Sequence, residues 1–270
     1  MTPAESAVLI VIDGLRPEAI EPARTPTLCR LMARGASTLR ARTVMPSITL
    51  PCIASMFLGT DPSRHGVTSN TWPAPSPAFP SLIDLVRKAG KPAMSFYNWE
   101  PLRDLSRPGG LNVSFFVDTS HDLGGDAEVA RAAADRLGRQ TFGFAFVYLG
   151  CTDTAGHSHG WMSPTYLQET ARADAGVAAI LDALRATGRL DGTAILVAID
   201  HGGHDKTHGD DRPESMTVPW MLTSPGIPAG RRIDGPVSII DTAPTLAALL
   251  GVETPTTWTG RAVTEAWTNG

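Results

Sequence analysis

The sequence predicts an α/β fold: a mostly parallel central sheet with helices on both faces. Three observations lead there. Uninterrupted apolar runs at Ala7–Ile12, Phe144–Leu149 and Ala194–Ile199 have the length of strands buried on both faces. Segments of helical periodicity alternate with such runs nearly throughout the chain. The same three runs lead into acidic residues, Asp13, Asp153 and Asp200, as expected where parallel strands deliver side chains to one carboxyl edge, the place where open α/β sheets bind ligands.

The 270 residues suffice for one large domain, and no linker or internal repeat divides residues 1–270. Hydrophobic residues make up 42% and the formal net charge is −4, an ordinary globular balance with no basic run to form a nucleic-acid groove. Cys29, Cys52 and Cys151 are odd in number and far apart, so reduced thiols are expected rather than a disulfide framework. The first apolar run is too short for a signal sequence, and no segment approaches the ~20 apolar residues of a membrane span. A soluble, cytoplasmic protein is the expectation.

In chain order, Ala7–Ile12 is the first strand. Thr25-Pro26 opens a helix stopped by Gly35, with Pro at its first position. Ser37–Val44 is a second strand. Thr49 caps a helix with Pro51 in its first turn and Gly59 at its end. Trp72–Pro80, rich in proline, is a loop. Ser81–Ala89 is a short helix, and Pro92–Tyr97 and Val113–Val117 are strands. Asp126–Leu137 is a helix with Val129, Ala133 and Leu137 four apart. Thr141–Leu149 is a strand and Ser163–Ala186 the longest helix, with Leu167, Ala171, Ala178, Leu181 and Leu184 on one face. Ala194–Ile199, Val218–Leu222 and Val237–Ile240 are strands, and Asp241 caps a last helix that ends at Gly251.

The stretch Val197–Gly209 organises the rest. Its strand stops at Asp200-His201, glycines follow, and His204 and His208 come after them across a loop. Asp153 and His157 stand four residues apart across a Gly turn. Carboxylate and imidazole donors suit zinc. Three carboxylates and three imidazoles are enough for two Zn²⁺, with a formal surplus of one positive charge that favours an anionic substrate. Paired metals about 3.5–4 Å apart are a recurring clamp for phosphoryl transfer. A nucleophile is also needed, and Thr49, where a helix begins, sits at the positive end of the dipole.

These segments carry a resemblance. Val11-Ile12-Asp13-Gly14-Leu15-Arg16-Pro17, Pro46–Pro51, Gly59-Thr60-Asp61-Pro62-Ser63-Arg64-His65-Gly66, Asp153–His157, Asp200-His201-Gly202 and His208-Gly209 resemble, in order, the motifs of the alkaline phosphatase superfamily, most closely its type I phosphodiesterase / nucleotide pyrophosphatase branch. The resemblance implies an alkaline phosphatase-like sheet with a minimal cap and two divalent metal ions, zinc with manganese as the alternative. One ion would be held by Asp153, His157 and His208, the other by Asp13, Asp200, His201 and the Thr49 oxygen. Asn70 matches the family's hydrogen-bond donor to a phosphoryl oxygen. Thr49 would attack phosphorus in a small phosphorylated substrate, and water would hydrolyse the phospho-threonine. Cys52 stands where these enzymes often carry Asn.

Other readings stay open beside these. Ser47 is a second hydroxyl, but two residues along a helix is about half a turn, so it and Thr49 should not point to one spot. His204 competes with His208 for one metal position, and His159 flanks the site. His65 reads as a structural histidine beside the Gly66 turn, Cys151 as a small buried hydrophobe. A phosphomonoesterase or phosphonate hydrolase of the same superfamily, or an inactive metal-binding module, would share the motifs. A monoester dianion needs extra positive charge, for which Lys206, Arg16, Arg64 and Arg212 are available.

Overall fold

The computed structural model describes residues 3–73 and 79–268. In chain order the elements are β1 (Ser6–Ile12), α1 (Pro26–Arg34), β2 (Ala36–Arg42), α2 (Thr49–Leu58), α3 (Pro62–His65), α4 (Leu82–Lys88), β3 (Ala93–Tyr97), β4 (Val113–Phe116), α5 (Asp126–Arg139), β5 (Phe144–Leu149), α6 (Cys151–His159), α7 (Pro164–Ala186), β6 (Thr193–Ala198), α8 (Pro213–Met216), β7 (Thr217–Thr223), β8 (Arg231–Arg232) and α9 (Thr242–Leu250). The strands form one sheet in the order β4-β3-β5-β1-β6-β7-β2-β8. The five strands β4, β3, β5, β1 and β6 run parallel, whereas β7 is antiparallel to both β6 and β2.

Every residue of β1, β5 and β6 is buried, which explains their unbroken apolar sequences: each strand has a helical layer on both faces. Alternation along β5 shows the two faces. Phe144 and Phe146 meet the edge of Phe57 in α2, with ring centroids 6.0 and 4.9 Å apart. Leu149, of opposite parity, touches the Gly176 position of α7, where an added Cβ would sit 3.7 Å from it. Helices α5, α6 and α7 pack together on that side, and α2, α4 and α9 on the other.

Register aligns the ends that matter. Ile12 pairs with Leu149, and Val11 with Ala198, so Asp13, the start of α6 and Asp200 leave the sheet at the same edge. Among the described residues, no helix is long and apolar enough to cross a membrane.

Several local expectations differ from the fold. Thr49 is the first residue of α2 rather than its cap; Ile48 takes the cap position with extended backbone. Asp153 and His157 lie within one helix, α6, so their spacing is a helical i,i+4 pair and not a Gly turn. Val237–Ile240 is not a strand: Ser238 makes a single bridge to Arg42, and Ile239–Asp241 is a 3-10 turn fixed by a Ser238–Asp241 capping box. The edge strand is instead the two-residue β8. Helix α9 does follow Asp241 and stop at Gly251, but the Asp241 carboxylate accepts from the Ser238 and Arg261 N–H groups. The Thr25 hydroxyl donates to the Ile20 carbonyl and leaves α1 uncapped by it. The proline-rich loop Trp72–Pro80 lies partly outside the described residues, at 74–78.

Candidate active site

Three strand ends and two loops converge on one cluster. Asp13 follows β1, Asp153 and His157 come from α6, Asp200 and His201 follow β6, and His208 returns on the loop before α8. His201 Nε2 lies 3.3 Å from Asp13 Oδ1, 3.6 Å from Asp200 Oδ2 and 3.1 Å from Thr49 Oγ1. His157 Nε2 is 3.4 Å from Asp153 Oδ2 and 3.1 Å from His208 Nε2, which is 3.6 Å from Asp153 Oδ1. The possible ligand atoms form two groups, Asp153/His157/His208 and Asp13/Asp153/His201, and within each group they lie within 4.8 Å of one another. Asp153 therefore stands between the two halves, and Asp200 and Thr49 join the second through His201.

The donor set fits cations. Each of the three imidazoles faces a backbone carbonyl through Nδ1: His157 to Lys206 at 2.9 Å, His201 to Gly202 at 2.9 Å and His208 to Ser47 at 2.8 Å. A carbonyl can only accept, so Nδ1 carries the proton and Nε2 presents its lone pair to the cluster, the tautomer that metal ligands use. Two such lone pairs face each other at 3.1 Å between His157 and His208, a repulsive arrangement unless a positive charge lies between them. Asp13 Oδ1, Asp153 Oδ1 and Asp200 Oδ2 are buried without any hydrogen-bond partner. Unpaired buried carboxylate oxygens are costly, and three in one cluster point to missing positive charge.

The electrostatics agree. Burial first, then repulsion from Asp200 and Asp153, pushes the Asp13 carboxyl well above its usual range. Burial also raises Asp153, against the pull of His201 and His157. Burial, with His201 beside it, holds the His208 imidazole down to about 2, so it offers a lone pair and not a charge.

Thr49 stands at the amino end of α2 with its hydroxyl in the cluster, and Ser47 does not share that spot: its hydroxyl donates to the Asp210 carbonyl. Asn70 accepts the Leu50 N–H through Oδ1 at 3.0 Å, which leaves its Nδ2 to donate into the cavity it lines. That cavity, about 250 Å³, is walled by Asp13, Thr49, Asn70, Trp99, His121 and Tyr148, among others. A larger recess of about 520 Å³ lies at the opposite edge of the sheet, beside Thr193, away from this chemistry. His204 is outside the cluster, held between Asp205 and Asp210 at 2.8 Å each, and His159 is exposed. His65 is buried against Ser55. Cys52 is buried beneath Thr43, and burial raises its thiol far above the usual range, so it is no nucleophile.

Some residues of the site escaped the sequence. Tyr148 donates its hydroxyl to Asp13 Oδ2, and Thr43 donates to the Asp200 carbonyl. Trp161 donates to the Gly14 carbonyl at 2.9 Å and sets its ring against His157 and His208. The ring explains two motif glycines: a Cβ on Gly156 or Gly203 would come within 2.7 or 2.3 Å of it. Gly14, at φ 69°, lets the turn after β1 pass against Asp153, where an added Cβ would sit 3.2 Å away. Trp99, Ser120 and His121 line the cavity from segments without a motif. Only the alternation Phe144, Phe146, Tyr148 carried a signal, a phenol closing a row of phenyl rings.

Comparison with known proteins places this geometry. The structure is similar to that of alkaline phosphatase PafA, with a TM-score of 0.85 and 12% identity over 99% of this chain and 100% of the other. It is also similar to murine ectonucleotide pyrophosphatase / phosphodiesterase 5, solved in an inactive form in complex with AMP, with a TM-score of 0.76 and 12% identity over 93% of this chain and 96% of that one. In sequence, arylsulfatase K of Danio rerio is 34% identical over 92 residues, 32% of this chain and 18% of that protein. The chain spans less than a fifth of the length of the curated relatives it matches. The fold is thus alkaline phosphatase-like, and the family model for type I phosphodiesterase / nucleotide pyrophosphatase matches residues 7–85 and 85–216, so the chain belongs to that family.

Proposed function

We propose that the protein is a two-metal hydrolase of phosphate esters, that its substrate is a phosphodiester or a nucleotide pyrophosphate, and that a phospho-threonine forms at Thr49. Asp153, His157 and His208 would hold one divalent ion, and Asp13, Asp200, His201 and the Thr49 oxygen the other. Bound there, the ions would polarise phosphoryl oxygens and lower the pKa of hydroxyl and water nucleophiles, with zinc favoured by the donor set.

The chain's own residues supply the rest. The amino end of α2 directs its positive dipole at the Thr49 oxygen and at the phosphoryl group beside it. Thr49 Oγ1 forms the bond to phosphorus as the bond to the departing alcohol oxygen breaks, and that alcohol leaves with a proton. Water then cleaves the phospho-threonine and restores the hydroxyl. Asn70 Nδ2 donates to a phosphoryl oxygen that gains charge in the transition state.

The observation that carries the substrate class is the wall of the cavity. Among the described residues it contains no Lys or Arg. Residues 74–78 contain none either. None of the four candidate cations lines it. Arg16 reaches the Gly203 carbonyl and Glu18, Lys206 donates to the Ser158 carbonyl, Arg212 sits with Asp210 and His204, and Arg64 is exposed. A singly charged phosphoryl group suits this wall better than a dianion. The test is turnover of bis(p-nitrophenyl) phosphate and a nucleotide p-nitrophenyl ester against p-nitrophenyl phosphate, phosphonate and sulfate, with zinc-loaded protein. The diesters should lead. A monoester advantage of orders of magnitude refutes the substrate class, and two bound zinc ions without any turnover favours a binding module.

A further inference from the structure

Along β5 the residues facing α2 are Phe144, Phe146 and Tyr148. A third phenylalanine would satisfy the packing. The hydroxyl appears only at the last position, where the strand reaches the cluster, and it donates to Asp13 Oδ2. The phenol is itself buried, at 2% exposure, so the bond is made away from water. Trp99 flanks the ring with centroids 6.4 Å apart, which limits its freedom to turn aside.

The bond decides what Asp13 offers the site. A carboxylate can present one oxygen or two to a cation. Here Oδ2 is taken by the phenol, while Oδ1 is partnerless and lies 3.3 Å from His201 Nε2. We propose that Tyr148 is a positioning residue for the Asp13 side of the site: its hydroxyl fixes the Asp13 rotamer and restricts that carboxylate to a single ligating oxygen. The hydroxyl acts through Asp13 and takes no part in bond making. The inference rests on the two-cation reading of the site, not on which ester is cleaved.

Tyr148→Phe removes one oxygen and leaves the ring row intact. Zinc affinity, measured by competition with a chelating dye, should show two classes of site in the wild type. In the variant one class should weaken by ~10–100-fold and the other should hold, because partners of metal ligands commonly contribute that much. The weakened class should be the one that Asp13→Ala abolishes, and adding Tyr148→Phe to Asp13→Ala should change zinc binding no further, since both act through one carboxylate. Circular dichroism and thermal melting in EDTA check that the variant is folded. A folded Tyr148→Phe protein with both zinc affinities unchanged overturns the proposal alone. A wild type that binds no zinc removes the two-cation reading and the proposal together.

Discussion

Asp200→Asn separates the cost of the cluster from its use. Asp200 is fully buried; its Oδ1 accepts the N–H groups of His201 at 2.9 Å and Gly14 at 3.2 Å, and its Oδ2 has no partner. An amide keeps the accepting oxygen for both N–H donors. It places an NH₂ where the partnerless oxygen stood, within the same cluster as the equally partnerless Asp13 Oδ1. Without metal, the substitution removes one desolvated, unpaired oxygen, a gain of about 1–3 kcal/mol. For a chain of this size that corresponds to roughly 2–5 °C in melting temperature. With metal the sign reverses, because an amide oxygen or nitrogen is a poorer ligand than a carboxylate. The variant should therefore melt above wild type in EDTA and below it in zinc, retain less zinc after desalting, and lose turnover. Differential scanning fluorimetry under both conditions and elemental analysis read this directly. A variant that melts below wild type in EDTA, or keeps a full zinc complement, refutes the reasoning.

Thr49→Ala should lower turnover by at least ~10³-fold, the scale for removing a covalent nucleophile, while zinc stays bound through the remaining ligands Asp13, Asp200 and His201; acid quench of wild type during turnover should give a phosphorylated peptide containing Thr49. Activity retained in Thr49→Ala would move the nucleophile elsewhere. His65 receives the Val67 N–H at Nδ1, 3.1 Å away, and burial lowers its pKa to about 4. Its folded-state value lies below the unfolded one, so its contribution is complete above pH 6.5 and is lost as pH falls toward 4, by about 3 kcal/mol in all. The stability difference between wild type and His65→Gln should shrink by that amount from pH 7 to pH 4. An His65 ring resonance that titrates near pH 6.5 in the folded protein would contradict this.

The parts of the fold legible in the sequence were those with period and length. Buried parallel strands write themselves as unbroken apolar runs, and β1, β5 and β6 stood out for that reason. The seven residues expected to act as ligands all come to one edge: Asp13, Asp200 and His201 follow strand ends, Thr49 opens α2, Asp153 and His157 lie in the helix after β5, and His208 returns on a loop. What escaped was short or tertiary. Val237–Ile240 is apolar enough for a strand, but a Ser238–Asp241 capping box turns it into a 3-10 helix. Asp153-Thr154-Ala155-Gly156-His157 looked like a turn because glycine usually breaks helices; here Gly156 is kept inside α6 by the Trp161 ring, which leaves no space for a Cβ. Tyr148, Thr43 and Trp161 make their bonds to residues more than a hundred positions away, and no local pattern announces such partners. Trp99, Ser120 and His121 reach the cavity only because of where β3 and β4 end.

The anchoring of the three imidazoles also sets how this scaffold can be altered. Lys206, Gly202 and Ser47 hold the rings through main-chain oxygens, which no side-chain replacement can delete. An insertion or deletion near 43–49 or 200–209 would move those oxygens and dismantle the grip at once. Substitutions at Ser120 or His121 touch only the wall, whereas Trp99 also flanks the Tyr148 ring. A protein engineer seeking a new substrate should therefore vary Ser120 and His121 freely and keep the lengths of the two anchoring loops fixed.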